Sequence, residues 1–171
     1  MNLLITGGAG FLGARLARAL LARGTLGGRP IDRLVLADLQ PPPPDLQADA
    51  RVQARTGALL AQCVDLGQES FEGVFHLASA VSGECELDFD LGLSANLDTT
   101  RALLDALRRR AAAGAAPARF VFSSSVAVFG PDPPRPMPDV VADDTRPTPQ
   151  TSYGTHKLMC EHLIADYTRK G

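Results

Sequence analysis

The stretch Gly7-Gly8-Ala9-Gly10-Phe11-Leu12-Gly13 decides the fold of this chain. It follows a short apolar run, Asn2 to Thr6, and it opens an amphipathic segment. The order strand, glycine turn, helix suits a dinucleotide phosphate, because glycine lets the backbone approach a pyrophosphate and the helix N-terminus offers unpaired N–H groups. The glycines at 7, 10 and 13 are spaced GxxGxxG rather than the commoner GxGxxG. They predict a phosphate-binding turn, which the rest of the chain has to support.

Size and composition indicate one globular domain without a basic surface that would bind large anionic partners. The chain has 171 residues, of which 45% are hydrophobic and 21% charged, and its formal net charge is −2. Such a charge argues against nucleic-acid or anionic-membrane binding, and no run of 18 apolar residues suggests a membrane span. The scattered cysteines, Cys63, Cys85 and Cys160, predict reduced thiols in a cytoplasmic protein rather than a disulfide or metal framework.

Strand-like and helix-like segments alternate along the chain. Apolar runs predict strands, and helical spacing of leucines predicts helices, with a proline-rich loop over 131–149. This alternation predicts an α/β fold with a doubly wound parallel sheet. After the first strand and helix, the predicted strands cover 33–38, 52–56, 73–78 and 119–123, and the predicted helices cover 59–69, about 90–110 and 152–170.

Asp38 closes the second predicted strand. A carboxylate at this place accepts hydrogen bonds from the adenosine ribose hydroxyls and repels a 2′-phosphate, so it favours NAD over NADP. The alternative is an aspartate that only caps the next turn.

Tyr153 and Lys157 stand four residues apart at the start of the last predicted helix, which places both side chains on one face. A free tyrosine ionises near pH ~10, so a tyrosine base at neutral pH needs a neighbouring positive charge to stabilise its phenolate. Tyr153 would take the proton of a substrate hydroxyl as hydride leaves for NAD. The alternative is a packed tyrosine beside a surface lysine.

Three serines, at 123, 124 and 125, end the fifth predicted strand, at the edge where open α/β sheets bind ligands. A hydroxyl at that edge can hydrogen-bond the substrate oxygen that loses its proton. The alternative, favoured for Ser123 and Ser124, is that these side chains satisfy the turn after the strand or contact the cofactor.

Five segments in order resemble the extended short-chain dehydrogenase/reductases, specifically the NAD-dependent epimerase/dehydratase family. They are TGGAGFLG, HLASA, NLDTT, FSSSVAVFG and PQTSYGTHKLMCE. The resemblance implies a Rossmann-type sheet, NAD as cofactor, and catalysis by Ser125, Tyr153 and Lys157. Asn96 matches an asparagine near the family's site, although a helix-surface asparagine is the alternative. The cofactor contacts expected from the pattern and from Asp38 are Gly7, Gly10, Phe11, Leu12, Gly13, Asp38, Leu59, Leu77, Ala78, Ala80, Asn96, Ser123, Tyr153 and Lys157.

The chain departs from the family in three places. Gly57-Ala58-Leu59 stands where members carry Gly-Asp-Leu, so the adenine contact of that aspartate is expected to be lost. Phe129 stands where many members have tyrosine. Members also add further strands and a C-terminal substrate domain, so residues 1–171 are expected to be the NAD-binding domain, truncated before those parts, with the fifth strand left as a bare edge unless a partner covers it.

The acidic segment after the fourth predicted strand faces the substrate side. Ser82, Gly83 and Glu84 are candidate substrate contacts, together with Ser125, and a solvated acidic loop is the alternative. This segment and SVAVFG resemble a branch of nucleoside-diphosphate-sugar epimerases and D-erythronate dehydrogenases. The expected reaction is hydride transfer between NAD and a nucleotide sugar or a small sugar acid such as D-erythronate. The alternatives are a non-catalytic NAD-binding protein or an inactive fragment. The resemblance also implies a homodimer through the helices near 90–110 and 152–170, without a metal.

Overall fold

A computed structural model describes residues 1–132, 134 and 136–170. The strands are β1 Asn2–Thr6, β2 Thr25–Leu26, β3 Arg29–Pro30, β4 Arg33–Asp38, β5 Val52–Thr56, β6 Gly73–His76 and β7 Arg119–Phe122. The helices are α1 Phe11–Arg23, α2 Pro44–Gln47, α3 Leu59–Leu66, α4 Ser82–Leu87, α5 Phe89–Gly92, α6 Thr99–Ala112 and α7 Ser152–Lys170. A π-helical segment, Leu93–Asp98, joins α5 to α6, and Val126–Val128 form a 3₁₀ turn.

Two compact units divide the chain. The first consists of Met1–Ser79 with Ala102–Ser123, and the second of Ala80–Arg101 with Ser124–Lys170.

A five-stranded sheet of order β5-β4-β1-β6-β7 forms the first unit, and its neighbouring strands are parallel. From β1 the chain winds outward to β5 and then returns to the other side of β1 to form β6 and β7. The strand order therefore reverses between β1 and β6, the point where open α/β sheets bind their ligands. The predicted doubly wound parallel sheet is confirmed.

Both faces of this sheet are covered, which explains why its central strands are continuous apolar runs. In β1, Leu3 and Ile5 point to one face and Leu4 to the other, because successive side chains alternate across a strand. One buried cluster comprises Leu3, Ile5, Ala14, Ala17, Leu20, Ile31, Leu34, Leu36 and Leu46. The opposite cluster comprises Leu4, Val35, Ala37, Leu59, Cys63, Leu66, Phe71, Val74 and Leu103.

Several element boundaries differ from the sequence prediction. The strand predicted to Ala78 ends at His76, the strand predicted to Ser123 ends at Phe122, and the helix predicted to Glu69 ends at Leu66. Between α1 and β4, where no strand was predicted, the chain forms the β2–β3 hairpin, closed by two glycines with positive φ. The acidic segment after β6, for which a solvated loop was the alternative, contains α4.

The second unit is built around α7, which packs against α4, α5, the π-helical segment and the 3₁₀ turn. Its buried face carries Gly154, His156, Lys157 and Cys160. None of the helices in the described part of the chain is long and apolar enough to cross a membrane.

Candidate functional site

The glycine turn leads from β1 into α1 and is packed too tightly for side chains. Gly7 has a φ of +70°, and its N–H donates to the Ala37 carbonyl at 2.8 Å. A Cβ atom on Gly13 would lie only 2.0 Å from the Gly7 carbonyl oxygen. Within the described residues, no side chain caps the N-terminus of α1, and its first turn contains no acidic residue. The turn therefore presents helix amides and the positive end of the helix dipole, which is what a pyrophosphate needs.

Thr6 and His76 link the carboxyl ends of β1 and β6, the two strands between which the strand order reverses. The Thr6 hydroxyl accepts the Leu77 and Ala78 N–H groups, each at 3.2 Å, and lies 2.7 Å from His76 Nδ1. Because its oxygen already accepts two N–H groups, we assign its hydrogen to Nδ1, which places the histidine proton on Nε2. Both side chains are buried. Sequence reasoning missed this pair, although both residues lie inside the motifs that carried the family resemblance.

Asp38 lies beside the glycine turn, as the ribose role requires. Its Oδ2 accepts the Ala9 N–H at 3.0 Å, and its Oδ1 accepts the Gln40 N–H at 3.2 Å. Asp38 therefore does cap the turn that follows β4, through the Gln40 N–H. It also contacts the glycine turn, through the Ala9 N–H. This position, at the carboxyl end of β4, fits a ribose of a bound dinucleotide.

The other predicted cofactor residues of the first unit have different surroundings. Phe11 and Leu12 are 82% and 60% exposed at the start of α1. Leu59 begins α3 with its side chain in the core, and Ala58 stands at the N-cap where the family has an aspartate. Ser123 donates its N–H to the His76 carbonyl at 3.3 Å, and its hydroxyl reaches the same oxygen at 3.4 Å, which agrees with a role in the turn after β7.

Asn96 lies in the π-helical segment and is 3% exposed, so the surface alternative is wrong. Its side chain accepts the Ala80 N–H at 2.8 Å and donates to the Ala80 carbonyl at 3.2 Å and to the Cys85 sulfur at 3.3 Å. The Asn96 amide thus forms hydrogen bonds with both backbone groups of Ala80, which lies between β6 and α4 and outside both elements. Short π-helical segments are frequent at functional sites, because they reorient single side chains within a helix.

Tyr153 and Lys157 lie one turn apart on α7, as their spacing predicts. The Lys157 Nζ is 5.5 Å from the centre of the Tyr153 ring, within the range of a cation–π contact. Lys157 is only 2% exposed, so it is not a surface lysine. Burial lowers the pKa of the Lys157 ammonium, and the nearby thiols of Cys160 and Cys85 offset part of this effect. A buried positive charge beside a half-buried tyrosine is the electrostatic setting that a phenolate base needs.

Ser125 precedes the 3₁₀ turn, and its Oγ accepts the Ala127 N–H at 3.1 Å. Because that contact uses a lone pair, the hydroxyl hydrogen is left to donate to a substrate oxygen. Ser125 also lines a cleft of about 520 Å³ that lies within the second unit. The lining residues are Ser124, Ser125, Val126, Val128, Phe129, Asp143, Thr145, Pro147 and Glu161.

The acidic segment contains helix caps rather than a solvated loop. Glu84 accepts the Val81 N–H at 2.9 Å, Asp88 accepts the Leu91 N–H at 2.9 Å, and Glu86 accepts the Ser152 N–H at 2.8 Å. Glu86 thus caps the helix that carries Tyr153, which sequence reasoning missed. Ser82 and Gly83 begin α4 and are exposed. In the described part of the chain, no group of three or more histidine, cysteine or acidic side chains is placed to hold a metal ion.

The first unit thus brings together the glycine turn, Asp38, Leu77 and Ala78, and the second brings together Asn96 with Ala80 and Tyr153 with Lys157. A glycine cradle that a Cβ would fill, followed by an uncapped helix, fits a dinucleotide pyrophosphate. In the second unit, the Ser125 hydroxyl can donate a hydrogen bond, and Tyr153 beside the buried Lys157 ammonium has the chemistry of a general base.

Known proteins are similar to this chain in sequence and in fold. The D-erythronate dehydrogenase of Cupriavidus necator is 49% identical over 180 residues, which cover 100% of this chain and 52% of that protein. The crystal structure of the nucleoside-diphosphate-sugar epimerase from Agrobacterium tumefaciens matches with a TM-score of 0.92 and 41% identity, covering 100% of this chain and 49% of that one. UDP-glucose 4-epimerase from Brucella ovis, in complex with NAD, matches with a TM-score of 0.76 and 28% identity over 97% of this chain and 47% of that one.

The chain spans about half the length of the curated relatives it matches. Residues 3–171 match the sequence profile of the NAD dependent epimerase/dehydratase family. The chain therefore belongs to the NAD-dependent epimerase/dehydratase family.

Proposed function

We propose that the full-length protein is an NAD-dependent dehydrogenase that oxidises a hydroxyl group of a small sugar acid, with D-erythronate as the first candidate substrate. The buried Lys157 beside Tyr153 carries this proposal, because a protein that only binds NAD has no need of a stabilised base. The identity of 49% to a D-erythronate dehydrogenase supports the substrate class.

Ser125, Tyr153 and Lys157, all in the second unit, have distinct parts in the proposed reaction. The Ser125 hydroxyl donates a hydrogen bond to the oxygen of the substrate hydroxyl group. Tyr153 takes the proton of the substrate hydroxyl group as the substrate C–H bond breaks. The Lys157 ammonium stabilises the tyrosine phenolate while the proton is absent. NAD, when bound, accepts the hydride, so the products are a carbonyl compound, NADH and a proton.

The predicted cofactor residues are part of the proposal. Gly7, Gly10 and Gly13 line the pyrophosphate, and Asp38 holds the adenosine ribose, as supported by the open helix amides and by the carboxylate beside the turn. The remaining proposed contacts rest on the family pattern. They are Phe11, Leu12, Leu59, Leu77, Ala78, Ala80, Asn96, Ser123, Tyr153 and Lys157 for NAD, with Ser82, Gly83, Glu84 and Ser125 for the substrate.

A nucleotide-sugar epimerase is the second candidate, and the TM-score of 0.92 to the Agrobacterium epimerase supports it. The two reactions differ in their redox balance, because an epimerase returns the hydride to its substrate and releases no NADH. Purified full-length protein is given NAD with D-erythronate or with UDP-glucose, and NADH absorbance and sugar composition are followed. Net NADH from the sugar acid supports the dehydrogenase, and a sugar epimer without NADH supports the epimerase. NAD binding without either reaction would leave a non-catalytic NAD-binding protein.

A homodimer through the helical segments near 90–110 and 152–170 is also proposed. Exposed apolar side chains on the second unit support it, since Phe89 is 59% and Met159 is 42% exposed. Sedimentation of the full-length protein tests this, with a monomer at micromolar concentration as the contradicting result. The cytoplasmic location also stays a prediction, supported by three buried cysteines, none of which forms a disulfide bond within the described residues.

A further inference from the structure

Tyr153, Lys157 and Glu161 form one row along α7, at successive intervals of four residues. Residues spaced in this way lie above one another on the same helix face. The first two belong to the proposed reaction, whereas the third is a carboxylate with no part in the hydride or proton transfer.

Glu161 is hydrogen-bonded to the turn that carries Ser125. The Ser124 hydroxyl donates to Glu161 Oε1, and the two residues are 37 positions apart in the sequence. A hydrogen bond to an ionised carboxylate is stronger than one between neutral groups, so it restrains an otherwise exposed serine. Glu161 and Ser125 also line the same cleft.

A second contact fastens the other end of this turn to α7. A Cβ atom on Gly154 would lie 2.1 Å from the Ala127 carbonyl oxygen, so the first turn of the helix packs directly on the backbone of residue 127. The segment from Ser124 to Ala127 is therefore attached to α7 at both of its ends. Ser125 lies between the two attachment points, with its Oγ fixed by the Ala127 N–H.

We infer that Glu161 is a positioning residue for Ser125, and this inference rests on the proposed function. Through Ser124, the carboxylate holds the serine turn against the helix that also carries the base, so that the Ser125 hydroxyl and the Tyr153 phenol keep a constant separation. Displacement of a reacting group by about 1 Å can cost about 100-fold in rate. Loss of one of two attachments is expected to cost less, about 10-fold in kcat.

The experiment compares kcat and KM for NAD and substrate in the full-length protein and in Glu161→Ala, Glu161→Gln and Ser124→Ala variants. We expect both alanine variants to lower kcat about 10-fold with KM for NAD unchanged. Glu161→Gln should recover most of the rate, because its amide oxygen accepts the same hydroxyl. The double alanine variant should be no slower than either single variant, because both remove one contact.

Two controls separate this role from general structure and from the proposed function. Asp166→Ala removes an exposed carboxylate of α7 that pairs with Arg169, and it should leave kcat and the melting temperature unchanged. Tyr153→Phe marks the loss of the chemical step. An unchanged kcat in Glu161→Ala, or a Glu161→Gln variant as slow as Glu161→Ala, overturns the positioning role while the proposed function stands. Absence of any NAD-dependent reaction in the unsubstituted protein overturns both.

Discussion

The packing of the glycine turn makes the Gly13→Ala substitution the sharpest structural test. The added Cβ would meet the Gly7 carbonyl oxygen at 2.0 Å and Gly8 Cα at 2.9 Å, whereas real Cβ atoms essentially never approach within 3.0 Å. The start of α1 must therefore move away from the turn by about 1 Å, and overpacking of this kind costs about 1–3 kcal/mol. We expect the melting temperature of the full-length protein to fall by several degrees.

The same displacement should weaken NAD binding. Loss of one hydrogen bond between a helix amide and the charged pyrophosphate costs about 1.5–3 kcal/mol, or about 10-fold or more in Kd. Titration calorimetry measures the affinity, and thermal unfolding measures the stability. Gly10→Ala is the matched stability control, because its Cβ would lie 3.3 Å from the same carbonyl oxygen and its φ of −69° suits any residue. A Gly13→Ala variant with unchanged stability and affinity would refute the packing argument.

Three further predictions follow from single groups. Asp38→Asn keeps an oxygen for the Ala9 N–H but removes the charge that repels a 2′-phosphate, so the ratio of kcat/KM for NAD to that for NADP should fall about 10-fold or more, and an unchanged ratio would contradict the ribose role. Lys157→Met should raise the melting temperature at neutral pH, because burial lowers the pKa of this lysine in the folded protein and the native state alone bears the cost of its desolvated charge. That gain should disappear as the pH rises through the ordinary lysine value of 10.5, where the unfolded chain loses its proton too, and a pH-independent difference would argue against it. Burial raises the pKa of Cys63 to about 11 and also raises those of the other two cysteines, so peptide mapping should find all three labelled by a thiol reagent only as fast as the protein opens.

The central strands and the last helix were predictable because each is specified by its own sequence. In the strand Arg33–Asp38 the four inner residues are apolar because both faces of the sheet are covered, and this pattern is visible without knowledge of other segments. The β2–β3 hairpin was not predicted, because strands of two residues have no periodicity, although the adjacent glycines at 27 and 28 are a known signal for such a turn. The π-helical segment at Leu93–Asp98 also has no sequence pattern that distinguishes it from an α-helix.

The candidate site also combines features that are local in the sequence with features that only the fold creates. The glycine turn and the Tyr153–Lys157 spacing are local, so the sequence indicated them directly. The hydrogen bonds that hold the site join residues far apart in the chain: Thr6 with His76 across 70 positions, and Glu86 with Ser152 across 66. No spacing rule relates such partners, and only the fold brings them together.

The most direct test of the account measures one variant in two ways. Tyr153→Phe removes the proposed base but keeps the aromatic ring on which Lys157 packs. Turnover is followed by NADH absorbance with the substrate found for the full-length protein, and NAD affinity is measured by calorimetry on the same preparation. We expect turnover to fall by about 100-fold or more, with a nearly unchanged Kd for NAD. Retained turnover in the phenylalanine variant would contradict the assignment of Tyr153 as the base.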